Sequence, residues 1–248
     1  MKFKKKTILF RNIVGSHMWG QHHSESDIDK FEVYIFDTRS FMLGERHDRC
    51  KSTKVIVDGV EEETISCEIG HVIEQLMKGN INHIWGVMSP KRDLVTTNID
   101  PTVFDLQMVV SLNLSRATVH SIRGFVIHNL KHWYGIILDK VVNHITGGVG
   151  YFIKKRKIPR LLPEDKKYWK ILNTCARTLG FGITLLREGI LDFDHPIGAK
   201  TTGEIITLLN VLELAYKGSN LPDKPDPVPF EEYLLWTRFN DLKRVRNR

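Results

Sequence analysis

The 248-residue sequence lacks the features of a membrane-spanning or exported chain. No apolar run approaches the roughly 20 residues that a transmembrane helix needs. The lysine-rich start, residues 1–6, has no apolar stretch of the kind found in signal peptides. We therefore expect no membrane partner and a cytoplasmic location.

Cysteine is also scarce. Cys50, Cys67 and Cys175 are scattered along the chain and have no metal-ligand spacing. This pattern predicts reduced thiols that are core or incidental residues. Histidine is more frequent, with eleven residues, but these form no ligand set at defined spacing, so we assign them to loop packing or substrate contact.

Negative charge is in deficit. The chain has a net charge of +7 and a pI near 9.2, a balance that suits a polyanionic partner such as a nucleotide or RNA. The basic residues cluster at 2–6, 154–160 and 238–248. The middle cluster is either a solvated loop or a nucleic-acid contact, and the outer two also suit solubilising chain ends.

The most informative stretch is residues 15–29. An apolar run, 8–14, leads into Gly15-Ser16, and ten residues further on Asp27 and Asp29 precede a second strand-like run, 30–36. Gly15 permits a tight turn whose backbone N–H groups can converge on a phosphate, and Ser16 adds a hydroxyl donor. Residues two apart in a strand share a face, so the two aspartates could bind divalent cations together.

This pattern resembles the signature of the polymerase-β-like nucleotidyltransferase superfamily, in particular the predicted nucleotidyltransferases that include RNA-ligase-associated and phage-encoded members. The segment from Lys78 to Trp85 resembles the Lys-Gly-Asn-Pro-Asn segment of that family, with Ile81 in place of the proline. The resemblance implies an α+β fold: an N-terminal mixed sheet with flanking helices, and a C-terminal helical domain. We assign 1–100 to catalysis and 101–248 to nucleotide or substrate binding.

The resemblance also implies a third carboxylate on a strand beside the aspartate pair. Glu63 is our choice, and Glu61 and Glu68 are its rivals. With Asp27 and Asp29, Glu63 would hold Mg²⁺ or Mn²⁺. The same carboxylates would thereby activate an acceptor hydroxyl.

Further residues are implied to bind the substrate nucleoside triphosphate. Gly15 and Ser16 would hold the triphosphate, and Ser26 would cap or orient the loop before the aspartates. Lys170 and Arg177 resemble basic positions that the family turns toward its cleft, where they would hold the triphosphate or an acceptor phosphate. A solvated helix face is the alternative for these two.

Periodicity predicts the remaining elements. Residues 53–57 and 60–67 form a hairpin around an Asp-Gly turn, and 69–77 form a helix that ends near Gly79. A short strand or loop is expected near 41–43. Helices are expected at 116–143, at 164–188, from a capping box at Thr201 to Gly218, and from Phe230 onward.

These residues predict transfer of a nucleoside monophosphate from a nucleoside triphosphate to an acceptor hydroxyl, with release of pyrophosphate. An RNA end is the favoured acceptor, and a protein side chain or a small molecule is possible. A different class also fits, namely a catalytically silent module that binds RNA through its basic clusters.

Overall fold

The computed structural model describes residues 6–23, 26–93, 102–142, 149–194 and 198–246, excluding the side chains of 102–105 and 244–246. The fold is α+β, as predicted. Backbone contacts divide the chain into two compact units, Met1–Asn113 with Pro225–Arg248, and Leu114–Lys224. The first unit therefore contains both the N-terminal sheet and the last helix.

A mixed four-stranded sheet forms the centre of the first unit, with strand order β1-β2-β4-β3. The strands are β1 (Lys6–Val14), β2 (Ile28–Phe36), β3 (Cys50–Val57) and β4 (Val60–Glu68). β1 runs antiparallel to β2, β2 runs parallel to β4, and β4 runs antiparallel to β3. β2 is the most buried strand, and its residues 31–36 are apolar except for Glu32.

Helices flank this sheet. They are α1 (Gly15–Met18), α2 (Thr38–Met42), α3 (Ile69–Met77), α4 (Ile81–Met88), α5 (Thr102–Leu112) and α9 (Pro227–Arg246). α4 packs closely on β2, because a Cβ atom built at Gly86 would lie 2.4 Å from the ring of Phe31. Asn12, on β1, is buried and donates hydrogen bonds to the carbonyl oxygens of Gly86 and Val87, at 2.8 and 3.0 Å. These contacts fix the sheet against the helix that follows the Lys78-Gly79-Asn80 turn.

The second unit combines a helical core with a hairpin. Its elements are α6 (Thr118–His132), β5 (Ile136–Val142), β6 (Val149–Arg156), α7 (Lys166–Glu188) and α8 (Thr202–Gly218). The middle of α7 is almost wholly buried, and the helix ends at Gly189, whose φ of 70° is left-handed. α8 begins with the predicted capping box, in which the Glu204 N–H donates to Thr201 Oγ1 at 3.2 Å.

Several predicted elements are confirmed. Asp58 and Gly59 turn the β3–β4 hairpin with φ values of 51° and 83°, as the Asp-Gly signal requires. The α3 helix has its predicted bounds, and Gly79 follows it with a φ of 68°. The helices predicted at 164–188 and from 201 to 218 correspond to α7 and α8. The last helix begins earlier than predicted, at Pro227.

Two predicted elements are wrong. The segment near 41–43 is the end of the short helix α2, which the Asp37 carboxylate caps by accepting from the Ser40 N–H at 2.7 Å. The single long helix predicted over 116–143 ends at His132, and the chain continues as β5. Gly135, with a φ of 64°, allows this change of direction, and the β-branched run that follows pairs with β6. The middle basic cluster accordingly begins on a strand.

The predicted assignment of 1–100 to catalysis and 101–248 to substrate binding stays a prediction. It is a functional division, and the compact units have different bounds. The boundary between these two parts, at residues 100 and 101, lies outside the described residues, as does most of the N-terminal basic cluster.

The prediction of reduced thiols is wrong for two of the three cysteines. Cys50 and Cys67 are register partners on β3 and β4, and they form a disulfide that closes a separation of 17 residues. Their positions in the sequence are far apart, and only the hairpin register brings the sulfurs together. Cys175 is a buried free thiol, and burial raises its pKa to about 12.

Candidate active site

The structure brings Gly15 directly against Asp29. Val14 is the register partner of Asp29 across β1 and β2, so the turn after β1 lies over the first residues of β2. Gly15 has a φ of 64°, and a Cβ atom built on it would lie 2.1 Å from Asp29 Oδ2. Glycine is therefore required here for two reasons, the backbone conformation and the space that the carboxylate takes.

Asp29 also has a carboxylate neighbour on its other side. Asp29 and Glu63 are register partners on the parallel strands β2 and β4, so their side chains project from the same face of the sheet. The rivals Glu61 and Glu68 have other surroundings. Glu61 pairs with Lys54 at 2.6 Å, whereas Glu68 is the partner of Tyr34 at the far end of β2. Of the three glutamates, the register favours Glu63.

The Glu63 carboxylate is engaged with the edge strand β3. Ser52 Oγ donates to it at 2.7 Å, and Lys54 Nζ lies 3.2 Å from its other oxygen. The hydrogen bond from Ser52 and the charge of Lys54 lower the pKa of Glu63, so it is ionised at neutral pH. The sequence already contained this signal, because a two-residue turn at Asp58 and Gly59 places Lys54 opposite Glu63.

Ser26 holds the loop before the aspartates. Its side chain is buried, Ser26 Oγ accepts a hydrogen bond from the His23 N–H at 3.0 Å, and the Ser26 N–H donates to the His23 carbonyl at 3.0 Å. Asp27 comes one residue before β2 and is half-buried, and Ser16 lies in α1. The loop contacts are those of an orienting residue, while a nucleotide contact for Ser26 stays a prediction.

The carboxylates do not form a closed metal cage. Among the described residues, no group of three or more histidine, cysteine, aspartate or glutamate side chains is placed to hold a metal ion. The donor chemistry nonetheless suits Mg²⁺, because Asp27, Asp29 and Glu63 offer hard oxygen ligands. The register places two of these three side by side, and Glu63 is turned toward β3.

The two predicted basic residues lie in the second unit on α7. Lys170 is exposed, whereas Arg177 is 6% exposed and burial lowers its pKa. Seven residues separate them, so they lie on one face of the helix two turns apart. Their predicted part in phosphate binding stays a prediction.

Sequence reasoning missed an ionic network on the opposite face of β2. Glu32 is 3% exposed and accepts hydrogen bonds from Lys6 at 2.6 Å, from Arg11 Nε at 3.1 Å and from Ser66 at 2.8 Å. Burial raises the pKa of Glu32, but these three partners outweigh burial and the net pKa lies below its ordinary value. Because every charge here has a partner of opposite sign, we assign the network to structure.

A basic surface in the second unit provides a candidate nucleic-acid contact. Its exposed side chains lie at the end of α6, on β6, in the segment after β6 and at the start of α7: Lys131, Lys155, Lys157, Arg160 and Lys167. Aromatic and imidazole rings alternate with these charges. Lys167 Nζ lies 4.0 Å from the centre of the Trp133 ring, and Arg160 contacts His132 Nε2 at 3.0 Å. Cations beside flat rings suit a single-stranded polynucleotide.

The helices bear on the expected absence of a membrane partner. Within the described part of the chain, no helix combines the length and apolar character needed to cross a membrane. The predicted cytoplasmic location stays a prediction.

Comparison with known proteins gives few matches. No protein-family profile and no curated protein matches the chain. Among solved structures, the chain is similar to a nucleotidyltransferase-like protein from Exiguobacterium sibiricum 255-15, with 10% identity and a TM-score of 0.23. The match covers 98% of this chain and 75% of that one. A TM-score this low establishes neither a shared fold nor a shared activity.

Proposed function

We propose that the protein is a Mg²⁺-dependent nucleotidyltransferase that moves a nucleoside monophosphate from a nucleoside triphosphate to an acceptor hydroxyl. One observation carries the proposal. Asp29 has Gly15 in a left-handed turn on one side and Glu63 as its parallel-strand neighbour on the other. A glycine turn beside paired carboxylates is the chemistry that a nucleotide triphosphate and its cation require.

Each residue would have a separate part. Asp27, Asp29 and Glu63 would hold Mg²⁺ or Mn²⁺, which neutralises phosphate charge and makes an acceptor hydroxyl more acidic when bound. Gly15 and Ser16 would hold the triphosphate. Glu63 would exchange its contacts with Ser52 and Lys54 for the cation, and both contacts lie at an exposed strand edge, where such pairs are weak.

The transfer is an in-line displacement. The acceptor oxygen forms a new bond to the α-phosphorus as the bond from that phosphorus to the bridging oxygen of the β-phosphate breaks. Pyrophosphate leaves with that electron pair, and the hydroxyl proton is lost to water. An RNA end is the favoured acceptor because the basic surface around Lys157 and Trp133 suits a polynucleotide.

The test is a transfer assay with purified full-length protein. Each α-labelled nucleoside triphosphate is incubated with Mg²⁺ or Mn²⁺ and with total RNA and protein. We expect labelled RNA, and we expect Asp29→Asn to remove the label. Asp58→Asn is the matched control, because asparagine also adopts the left-handed turn conformation at that position.

The remaining outcomes are informative. Labelled protein, or pyrophosphate without a labelled macromolecule, would keep the transferase and change the acceptor. Glu63→Gln and Glu61→Gln are compared in the same assay, and only the former should lower the rate. Absence of turnover with all four nucleotides would contradict the proposal.

A second candidate is a catalytically silent module that binds RNA. It is favoured by the Glu63 carboxylate, which Ser52 and Lys54 hold at the sheet edge away from a three-carboxylate cluster. RNA binding that weakens with salt, without consumption of any nucleotide, would identify this module.

A further inference from the structure

The first unit contains a cavity of about 770 Å³ at the end of the sheet remote from Asp29. It is lined by residues of α2, of α9, of the segment before β3, of the end of β4 and of the first turn of α3, including Thr38, Glu68, Gly70 and Arg238. Thr38 follows β2 and Glu68 ends β4, so the cavity lies beside the carboxyl ends of two parallel strands. Seven residues of strand separate Asp29 from Phe36, a distance of about 23 Å.

The volume and the lining are those of a small-molecule site. Cavities of roughly 300–1,000 Å³ with mainly apolar walls and a few polar groups are typical of such sites. Here the walls are Phe41 and Met42 from α2 and Leu235, Phe239 and Leu242 from α9. Met42 and Leu235 are 72% and 69% exposed, so the apolar surface is open to a ligand.

The polar groups of the cavity include atoms that lack a partner. Thr38 is 3% exposed, and its Oγ1 has no hydrogen-bond partner among the described residues. The same holds for the buried Nδ1 of His71. Both atoms are shielded from solvent and so lie beneath the cavity wall, which leaves recognition of a ligand to the exposed groups of the lining.

The charges of the lining favour an anion. Arg238 is compensated, because it donates to the Phe36 carbonyl oxygen at 2.9 Å and to the Glu68 carboxylate while lying over the Phe41 ring. Arg49 is different. Its side chain is 64% exposed, and its partner Glu74 also receives Lys78 at 2.6 Å, so two cations share one carboxylate.

The histidine beside this arginine does not add charge. Burial and the charge of Arg49 lower the pKa of His71, so the imidazole is neutral near pH 7.

The aromatic rings of the lining favour a flat ligand. His47 stacks on Phe36 at 4.9 Å between ring centres and contacts Phe41 at 5.5 Å. Aromatic faces gain most from another flat ring.

We propose that this cavity binds a small molecule with a flat aromatic body and one anionic group, the body against Phe41 and the anion beside Arg49. The site is separate from the Asp27 and Asp29 region, and its occupation does not depend on the proposed transfer activity.

The experiment uses full-length protein and two probes, 2-naphthoate and its neutral analogue 2-naphthylmethanol, in calorimetric and NMR titrations. We expect one saturable site for 2-naphthoate, with weaker binding of the alcohol. Arg49→Gln should weaken 2-naphthoate about tenfold and leave the alcohol within about twofold. Leu235→Gln should weaken both probes, since it replaces exposed apolar wall.

Arg39→Gln is the matched control, an exposed arginine of α2 that does not line the cavity, and it should change neither affinity. Circular dichroism confirms that each variant is folded. Binding that does not saturate, or that is indifferent to both Arg49→Gln and Leu235→Gln, overturns the proposal. So does a dimer in sedimentation that dissociates with Leu235→Gln while the probes fail to bind, because the apolar wall would then be a subunit interface.

Discussion

At the scale of single residues, the candidate site depends on how closely Gly15 approaches Asp29. A side chain at Gly15 would have to displace the carboxylate, and the left-handed backbone would disfavour it as well. Glu63 contributes by its register, while Ser52 and Lys54 decide where its carboxylate lies.

The first prediction is that Gly15→Ala removes transfer activity and lowers the free energy of unfolding. Gly20→Ala is the control, because Gly20 has nearly the same φ, 65°, but open space around its Cβ position. Both variants carry a conformational cost of about 1 kcal/mol. Urea unfolding and the labelled-nucleotide assay should show an additional loss for Gly15→Ala alone. Equal behaviour of the two variants would mean that Asp29 moves without consequence.

The second prediction concerns His83, which packs edge-on against Phe31. Burial, with a smaller effect of His71, lowers the pKa of His83 to about 4. The unfolded chain, with a histidine pKa near 6.5, binds more protons between these values. The free energy of unfolding therefore has its full His83 contribution above pH 6.5. It falls as the pH drops toward 4, by up to about 3 kcal/mol.

Unfolding free energies measured from pH 7 to pH 4.5 test this expectation. His83→Phe should flatten the pH profile, because it removes the titrating ring and two nitrogens that have no partner among the described residues. His128→Gln, at an exposed position, should leave the slope of unfolding free energy against pH the same as in the native protein. An unchanged slope in His83→Phe would assign the acid sensitivity to other groups.

At the scale of elements, the β3–β4 hairpin combines a turn that was predicted with a disulfide that was not. The Asp-Gly pair predicts its turn. That turn sets the register that places Lys54 opposite Glu63. The same register joins Cys50 to Cys67 and so ties the edge strand to the sheet. Every residue of β3 is exposed, so little side-chain burial holds this strand in place. The disulfide adds a covalent link to its backbone pairing with β4.

The third prediction is that a reducing agent destabilises the protein by about 3 kcal/mol, the value typical of a loop of this size. Cys50→Ser should give the same loss and remove the response to reductant, since Cys50 is exposed and its replacement costs little packing. Thiol counting by mass spectrometry should find one free thiol in the oxidised protein. Three free thiols in unreduced protein would show that the bridge does not form.

At the scale of the whole molecule, the positive net charge is distributed unevenly. The lysines and arginines of the basic surface, from the end of α6 to the start of α7, are exposed, so they are available to a polyanion. Long-range attraction of this kind depends on ionic strength.

The fourth prediction is that Lys155→Gln with Lys157→Gln weakens RNA binding and reduces its salt dependence. Each lost phosphate contact should lower the slope of log affinity against log salt by about 0.7 for a single strand. Fluorescence anisotropy with a labelled oligonucleotide between 50 and 300 mM salt measures the slope. Lys200→Gln with Lys224→Gln removes the same charge elsewhere in the unit, and its slope should stay close to that of the native protein.

Local signals made much of the fold predictable. The Asp-Gly turn, the Gly79 and Gly189 helix ends and the Thr201 capping box act through neighbouring backbone, and the structure has each of them. The region 116–143 was not predictable in this way. Its apolar spacing suits a helix throughout, but pairing of Ile136–Val142 with β6 stabilises a strand instead.

The sequence by itself determined the aspartate motif, the strands around it and the chemical character of the site, because these depend on residue type and short spacing. Only the tertiary structure decided which glutamate neighbours Asp29 and where the cavity lies. Each of these depends on the register and packing of segments that are distant in the chain. Such contacts form when the whole core is buried, and no local pattern specifies them.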